Sequence, residues 1–128
     1  GARRTWTAKR GPKDAAPAGS SALLGYLATE VRGAGGTVET VVADVTSPEG
    51  RQAMVDAATR HFGGLDVLVN NAGIGATGHF MDSDPDVLRR IFETNFFGLT
   101  ETTRVFLPLL KQGVTPAIVN ISSVVGKR

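Results

Sequence analysis

The sequence contains no cysteine, and this absence excludes several kinds of site. Disulfide frameworks, thiol nucleophiles and thiolate-bound metals all require that residue. No apolar run is long enough to span a membrane, and no secretory signal opens the chain. We therefore expect a cytoplasmic protein that has no membrane partner.

A large excess of charge of either sign is also missing. The 128 residues include 14 Lys and Arg against 12 Asp and Glu, a formal net charge of +2. Nucleic-acid binding proteins usually carry a strongly basic surface, so no nucleic-acid partner is expected. Hydrophobic residues make up 41% of the chain, which is typical of a soluble globular domain. The length suffices for one domain but is short for a complete enzyme with a doubly wound sheet.

Regular patterning divides the chain into two parts. Residues 1–21 are rich in Arg, Lys, Gly, Pro and Ala and show little periodicity, whereas residues 22–128 alternate between helical and strand-like patterns. Apolar residues at helical spacing from Leu23 to Val31 predict a first helix, and the segment from Thr37 to Ala43 predicts a strand.

Two further helices are indicated by the residues that begin them. Ser47 is a favourable N-cap, and Pro48 follows it at the first helical position. Ser83 or Asp84 can cap a long helix that begins near Pro85. These helices give the connections the length of crossovers, so we expect the strands to pair in parallel.

The segment from Leu65 to Gly73 is the most informative of the chain. It begins with a nearly continuous apolar run, the pattern of a parallel strand that is covered on both faces. A second apolar run, from Ala117 to Ile121, predicts another such strand. Alternating strands and helices of this kind predict an α/β fold.

The first of these strands ends in Asn70, Asn71, Ala72 and Gly73. Parallel sheets bind ligands at the carboxyl ends of their strands. Small side chains let a flat or phosphorylated ligand approach the backbone, and the amides offer donors and acceptors. By itself the motif fits such an edge and an ordinary Asn/Gly turn equally well.

Four landmarks occur in order along the chain. They are Asp44-Val45, Asn71-Ala72-Gly73, Asn95 and Asn120-Ile121-Ser122-Ser123. From about Leu23 onwards the chain resembles the short-chain dehydrogenases/reductases, a Rossmann-type family that uses NAD(H) or NADP(H). The resemblance implies an incomplete doubly wound parallel sheet and a hydride transfer between the nicotinamide and a small-molecule carbonyl or secondary alcohol.

The resemblance implies cofactor-binding roles for Asp44, Val45, Asn71, Ala72 and Gly73. Asp44 and Val45 would lie at the adenine ring, where a carboxylate accepts a hydrogen bond from the exocyclic amine. Asn71 would tie neighbouring strands together and face the cofactor ribose. A helix or loop cap is the alternative role for Asp44.

The catalytic residues that the resemblance implies are Ser123 and Asn95. Ser123 would hydrogen-bond the substrate oxygen and stabilise the charge that develops during hydride transfer, and Ser122 would be a structural neighbour. Asn95 would hold a water of the proton relay. The alternatives are a hydroxyl that satisfies the next turn and a core amide satisfied by the backbone. No metal site is expected, since no second ligand accompanies His79.

The basic segment from Arg4 to Arg10 is a candidate for the second strand of the family and its exit. Basic residues at that exit favour the 2′-phosphate of NADP, so Lys9 and Arg10 indicate NADP(H), with NAD possible. The segment is polar for a strand that is buried on both faces, and a frayed basic tail would have the same sequence.

Two parts of the family pattern are not found. No Gly-x-x-x-Gly-x-Gly loop precedes Leu23, and no Tyr-x-x-x-Lys pair follows Ser123; Tyr26, the only tyrosine, lies upstream. Loss of a general acid commonly costs a factor of about a hundred or more in rate, so we expect an inactive fragment of a longer enzyme. Without the first strand, the predicted strands Thr37–Ala43 and Leu65–Asn70 would lack a shared neighbour. A non-catalytic dinucleotide-binding or scaffold module is the alternative function.

A stripe of apolar residues follows the later helical segment. Its members are Phe92, Phe96, Phe97, Val105, Phe106 and Leu109. Their helical spacing predicts core positions. Part of the stripe is alternatively the helix face through which this family commonly dimerises, and we expect a homo-oligomer for the full-length protein.

Overall fold

The sheet of this protein is small and parallel. A computed structural model describes the backbone of residues 5–8 and 18–123 and the side chains of residues 25–123. Within these residues the strands are β1 (Thr5–Ala8), β2 (Val67–Asn70) and β3 (Ala117–Asn120). The helices are α1 (Ala18–Gly33), α2 (Pro48–Phe62), α3 (Pro85–Phe92) and α4 (Leu99–Leu110), with a 3-10 turn at Phe80–Asp82 and a π-helical turn at Glu93–Gly98. None of these helices has both the length and the apolar character that a membrane crossing requires.

β2 is the central strand of the sheet. It pairs in parallel with β1 on one side and with β3 on the other, and Asn70 lies opposite both Ala8 and Asn120. Leu68 has no exposed surface, as expected for a strand that is covered on both faces. The predicted parallel α/β sheet is confirmed, and the carboxyl ends of the three strands meet at one edge.

The hydrophobic core lies where α4 packs against β2 and α2 packs against α4. α2 contributes Met54, Ala57 and Ala58, and α4 contributes Phe106 and Leu110. The other buried members of the cluster are Ala43, Val45, Leu65 and Leu68. The core therefore holds the strand ends of the candidate site to the two helices.

Local capping chemistry sets the ends of the helices as predicted. Ser47 Oγ accepts a hydrogen bond from the Gly50 N–H at 3.1 Å at the start of α2. Gly63 ends α2 in the left-handed conformation with φ +67°, which favours glycine. Of the two candidate caps of α3, Asp84 makes the bond, accepting from the Asp86 N–H at 2.9 Å.

The predicted strand from Thr37 to Ala43 is wrong. Its backbone forms no ladder, and only Ala43 makes a single bridge. A strand forms only where an adjacent backbone supplies partners along its length, and among the described residues this segment is paired at Ala43 only. A strand thus exists within the basic segment, but beside β2, where the resemblance implied the first strand of the family and not the second. The expected gap next to β2 is closed.

The apolar stripe was predicted to lie in the core, and this is confirmed only for Val105, Phe106 and Leu109. Phe106 is fully buried, whereas Phe92, Phe96 and Phe97 are each more than half exposed. α3 buries none of its residues and packs against the π-helical turn. A helix buries only the face that meets another element, so this part of the stripe is surface.

Candidate functional site

One amide, that of Asn70, ties the end of β2 to β3 and α4. The residue is 5% exposed, and its Nδ2 donates to Thr103 Oγ1 and to Asn120 Oδ1, both at 2.9 Å. The sequence analysis assigned the tying of strands to Asn71, and the structure corrects this. Side chains alternate along a strand, so neighbouring asparagines point to opposite sides. The shared ending of the two apolar runs, in Asn70 and Asn120, was the signal that could have identified the pair.

The residues after Asn70 leave an accessible edge. Asn71 is exposed, and its side chain has no hydrogen bond to any residue that the structure describes. Ala72 packs against the core. A Cβ added at Gly73 would approach only the Asn95 side chain, with 3.5 Å to its Oδ1. Within the described residues, this edge therefore has an exposed amide at Asn71 and an open stretch of backbone at Gly73.

Asn95 clamps the loop that follows this edge. Its Oδ1 accepts from the Ile74 N–H at 2.9 Å, and its Nδ2 donates to Ile74 O at 2.8 Å. The residue is exposed, and both ends of its amide are engaged with the backbone. The sequence analysis gave Asn95 two possible roles, a residue that holds a relay water and a core amide satisfied by the backbone. The observed bonds are those of an amide satisfied by the backbone, but the residue lies at the surface and holds a loop.

The π-helical turn at Glu93–Gly98 contacts two parts of the predicted site. Asn95 holds Ile74, and Gly98 is buried so closely against Val45 that an added Cβ would lie 3.1 Å from Val45 Cγ2. One helical turn thus brings Val45 and the loop after β2 together. Wide turns of this kind frequently occur at functional sites. The sequence analysis missed Gly98, because nothing local distinguishes it from an ordinary helical glycine.

Asp44 presents one carboxylate oxygen without a partner. Its Oδ1 accepts from the N–H and the hydroxyl of Thr46, at 2.9 and 2.8 Å. Its Oδ2 is buried and has no hydrogen bond to any residue that the structure describes. Asp44 is therefore a turn residue, as its alternative role required, and it also retains an acceptor for a donor group. Buried polar atoms usually have partners, which makes this oxygen a candidate ligand contact.

Ser123 lies three residues beyond the end of β3, whereas Asn71 directly follows β2. The Ile121 N–H donates to Asn70 O at 2.9 Å, so the pairing of the two strands continues just beyond β3. Ser122 and Ser123 are both exposed. Because neighbouring parallel strands end at the same edge, the serines lie on the side of the sheet that carries Asn71. Lys9 and Arg10, the residues predicted to select NADP(H), lie outside the described residues.

Two grooves are lined by the described residues, and the first of them includes Asn120. One of about 460 Å³ lies between α4 and β3 and includes Thr103, Arg104 and Ile118. The other, of about 510 Å³, includes His79 and Phe80. Neither groove is lined by Asp44, Asn71 or Ser123. Among the residues whose positions are described, no three His, Cys, Asp or Glu side chains are grouped for a metal ion.

A parallel sheet flanked by packed helices, with polar and small residues at its carboxyl edge, defines a Rossmann-type nucleotide-binding fold. A sequence profile of the family described as short chain dehydrogenase matches residues 5–128. The chain belongs to the short-chain dehydrogenase/reductase family.

The similar proteins include oxidoreductases of known and unknown substrate. The chain is 39% identical over 88 residues to dehydrogenase/reductase SDR family member 7B of Bos taurus, covering 69% of this chain and 27% of that protein. It is 35% identical over 109 residues to the ketoacyl reductase HetN of a Nostoc strain, covering 85% and 38%. A crystal structure of a short-chain type dehydrogenase/reductase from Mycobacterium marinum matches with a TM-score of 0.80 and 29% identity, covering 100% of this chain and 48% of that one. The chain thus spans half or less of the length of these relatives.

Proposed function

We propose that this chain is part of an NAD(P)(H)-dependent oxidoreductase that transfers a hydride between the nicotinamide and a small-molecule carbonyl or secondary alcohol. The observation that carries the proposal is the double contact of the π-helical turn. Asn95 holds Ile74 while Gly98 packs on Val45, so one segment fixes both halves of the predicted cofactor edge. The similarity to a ketoacyl reductase supports a carbonyl as the oxidised substrate.

The described residues fit the adenosine half of a dinucleotide. Asp44 Oδ2 is a buried acceptor without a donor, and it would accept a hydrogen bond from the adenine amine. The exposed amide of Asn71 would face the ribose, and Ala72 and Gly73 would leave the backbone open beside it. We propose NADP(H) over NAD(H) on the basic character of the segment before α1.

The catalytic contribution that we assign to this chain centres on Ser123. When it is bound, the nicotinamide supplies or accepts the hydride. Ser123 would donate a hydrogen bond to the substrate oxygen and so stabilise the negative charge that develops as a carbonyl is reduced. Asn95 would support the proton relay by holding the loop at Ile74 in place, since both ends of its amide are already engaged there.

The proposal is tested with Ser123→Ala and its neighbour Ser122→Ala as the matched control. We expect Ser123→Ala in the full-length protein to lower kcat for a panel of small ketones by about a hundredfold or more, because such a donor acts mainly on the transition state. NADPH affinity, measured by fluorescence titration, should change little. Ser122→Ala should leave both quantities near those of the unsubstituted protein.

The possible outcomes separate the two functions. If the full-length protein binds neither NADPH nor NADH, the proposal is wrong. If it binds a dinucleotide and turns over no carbonyl or alcohol, the alternative of a non-catalytic binding module is supported. Equal losses of kcat in the two serine variants would remove Ser123 from its assigned role.

A further inference from the structure

We propose that Arg51 is a positioning residue that fixes the backbone of Val45 for the recognition of an adenine ring. This inference deepens the proposed function and rests on it. Arg51 lies in the first half of α2 and is half-buried. Its Nη1 donates to Val45 O at 2.7 Å, and its buried Nε has no hydrogen-bond partner in the part of the chain that the structure describes.

Packing by itself does not account for an arginine at this place. Burying part of a guanidinium costs solvation, and the unpartnered Nε of Arg51 adds to that cost. An apolar side chain of similar volume often replaces a buried charge with no loss of stability. The guanidinium of Arg51 adds something that an apolar side chain lacks, which is a charge-assisted hydrogen bond to one particular carbonyl.

Val45 is held from a second side by the π-helical turn. The residue is 1% exposed. A Cβ on Gly98 would lie 3.1 Å from Val45 Cγ2 and 3.4 Å from Val45 O, so the absence of a side chain there permits the close approach. Arg51 and Gly98 therefore hold the same backbone unit, one by a hydrogen bond and the other by contact.

Val45 O belongs to the same planar peptide unit as the Thr46 N–H, which donates to Asp44 Oδ1, so Arg51 helps to hold the donor that orients Asp44. Asp44 Oδ1 is engaged by Thr46, and Asp44 O accepts from the Ser47 N–H at 3.1 Å. These bonds leave Oδ2 as the acceptor for a ligand. An acceptor that is held in place before binding loses less conformational freedom on binding, which increases affinity. Arg51 thus acts on the ligand through Val45 and Asp44 and does not need to touch it.

The experiment compares Arg51→Met with Arg60→Met in the full-length protein. Both substitutions remove an arginine from α2, but Arg60 is exposed and does not contact Val45. The probes are AMP for the adenine half of the cofactor and NMN for the nicotinamide half, with affinities from calorimetric titration. We expect Arg51→Met to weaken AMP about tenfold, the size of one charge-assisted hydrogen bond, and NMN by less than about twofold. Arg60→Met should change neither Kd.

Two further variants keep the inference testable if Arg51→Met does not fold. Arg51→Lys keeps the charge and should retain part of the AMP affinity. Gly98→Ala adds a Cβ in close contact with Val45 and should weaken AMP more than NMN.

Each outcome bears on one of the two proposals. An unchanged AMP affinity in Arg51→Met and in Gly98→Ala overturns the role of Arg51 even if the melting temperature falls. Equal weakening of AMP and NMN also overturns it, because a general loss of structure would affect both halves. If the unsubstituted protein binds neither probe and neither NADPH nor NADH, the proposed function itself fails.

Discussion

β2 and β3 have almost the same sequence and very different surroundings. Val-Leu-Val-Asn and Ala-Ile-Val-Asn lie side by side in register. Leu68 is fully buried, whereas Ile118 opposite it is 43% exposed. β2 has a strand on either side, while within the described residues β3 pairs only with β2. An apolar run therefore predicts a strand, and the neighbours of that strand determine how much of it is buried.

The largest expected effect comes from truncating the two register partners in turn. Leu68→Ala should lower the free energy of unfolding by about 2–5 kcal/mol, because it leaves a cavity in the core. Ile118→Ala should cost about 1–2 kcal/mol, because much of the side chain is already in contact with water. Urea unfolding of the two variants measures the difference. Equal costs would mean that β3 is covered as completely as β2 in the protein in solution.

A smaller difference in unfolding free energy is expected when the asparagines that end these two strands are replaced by alanine. Asn70→Ala removes the donor to both Thr103 and Asn120, and should cost about 2–3 kcal/mol of unfolding free energy. Asn120→Ala removes one acceptor and leaves the bond from Asn70 to Thr103, so about 1 kcal/mol is expected. Urea unfolding of the single and double variants measures both costs. If Asn120→Ala costs as much as Asn70→Ala, the tie between the strands depends on both side chains equally.

The features predicted from sequence are those that local chemistry determines. The start of α2 at Ser47 and Pro48 depends on residues within one turn, and it was correct. The apolar runs identified both strands, although only β2 is buried along most of its length and β3 is largely exposed. The order of the landmarks identified the family correctly.

The features that were missed depend on contacts distant in the sequence. The segment from Thr37 to Ala43 has a strand-like sequence but no neighbour for a ladder. Asn70, and not Asn71, bonds to α4 because its side chain lies on the side of β2 that faces this helix. Gly98 and Arg51 gain their importance from Val45, and no pattern within their own helices reveals that contact.

The smallest expected effect concerns the first turn of α2, a helix that packs in the same core as β2. The Ser47 hydroxyl donates to Glu49 Oε2 at 2.8 Å. This hydrogen bond, the backbone N–H of Glu49 and the charge of Arg51 lower the pKa of Glu49 below its ordinary value of 4.5. Desolvation opposes this shift but does not cancel it. A carboxyl whose pKa is lower in the folded state stabilises the fold above its unfolded pKa, and this contribution is lost as the pH falls through the folded pKa. Glu49→Gln should therefore destabilise the protein slightly at pH 7 and have no effect once the pH is below that lowered pKa. Urea unfolding across this range measures the effect, with the exposed Glu30→Gln in α1 as the control. If Glu49→Gln still lowers the free energy of unfolding in acid, the carboxylate charge is not the cause of the destabilisation.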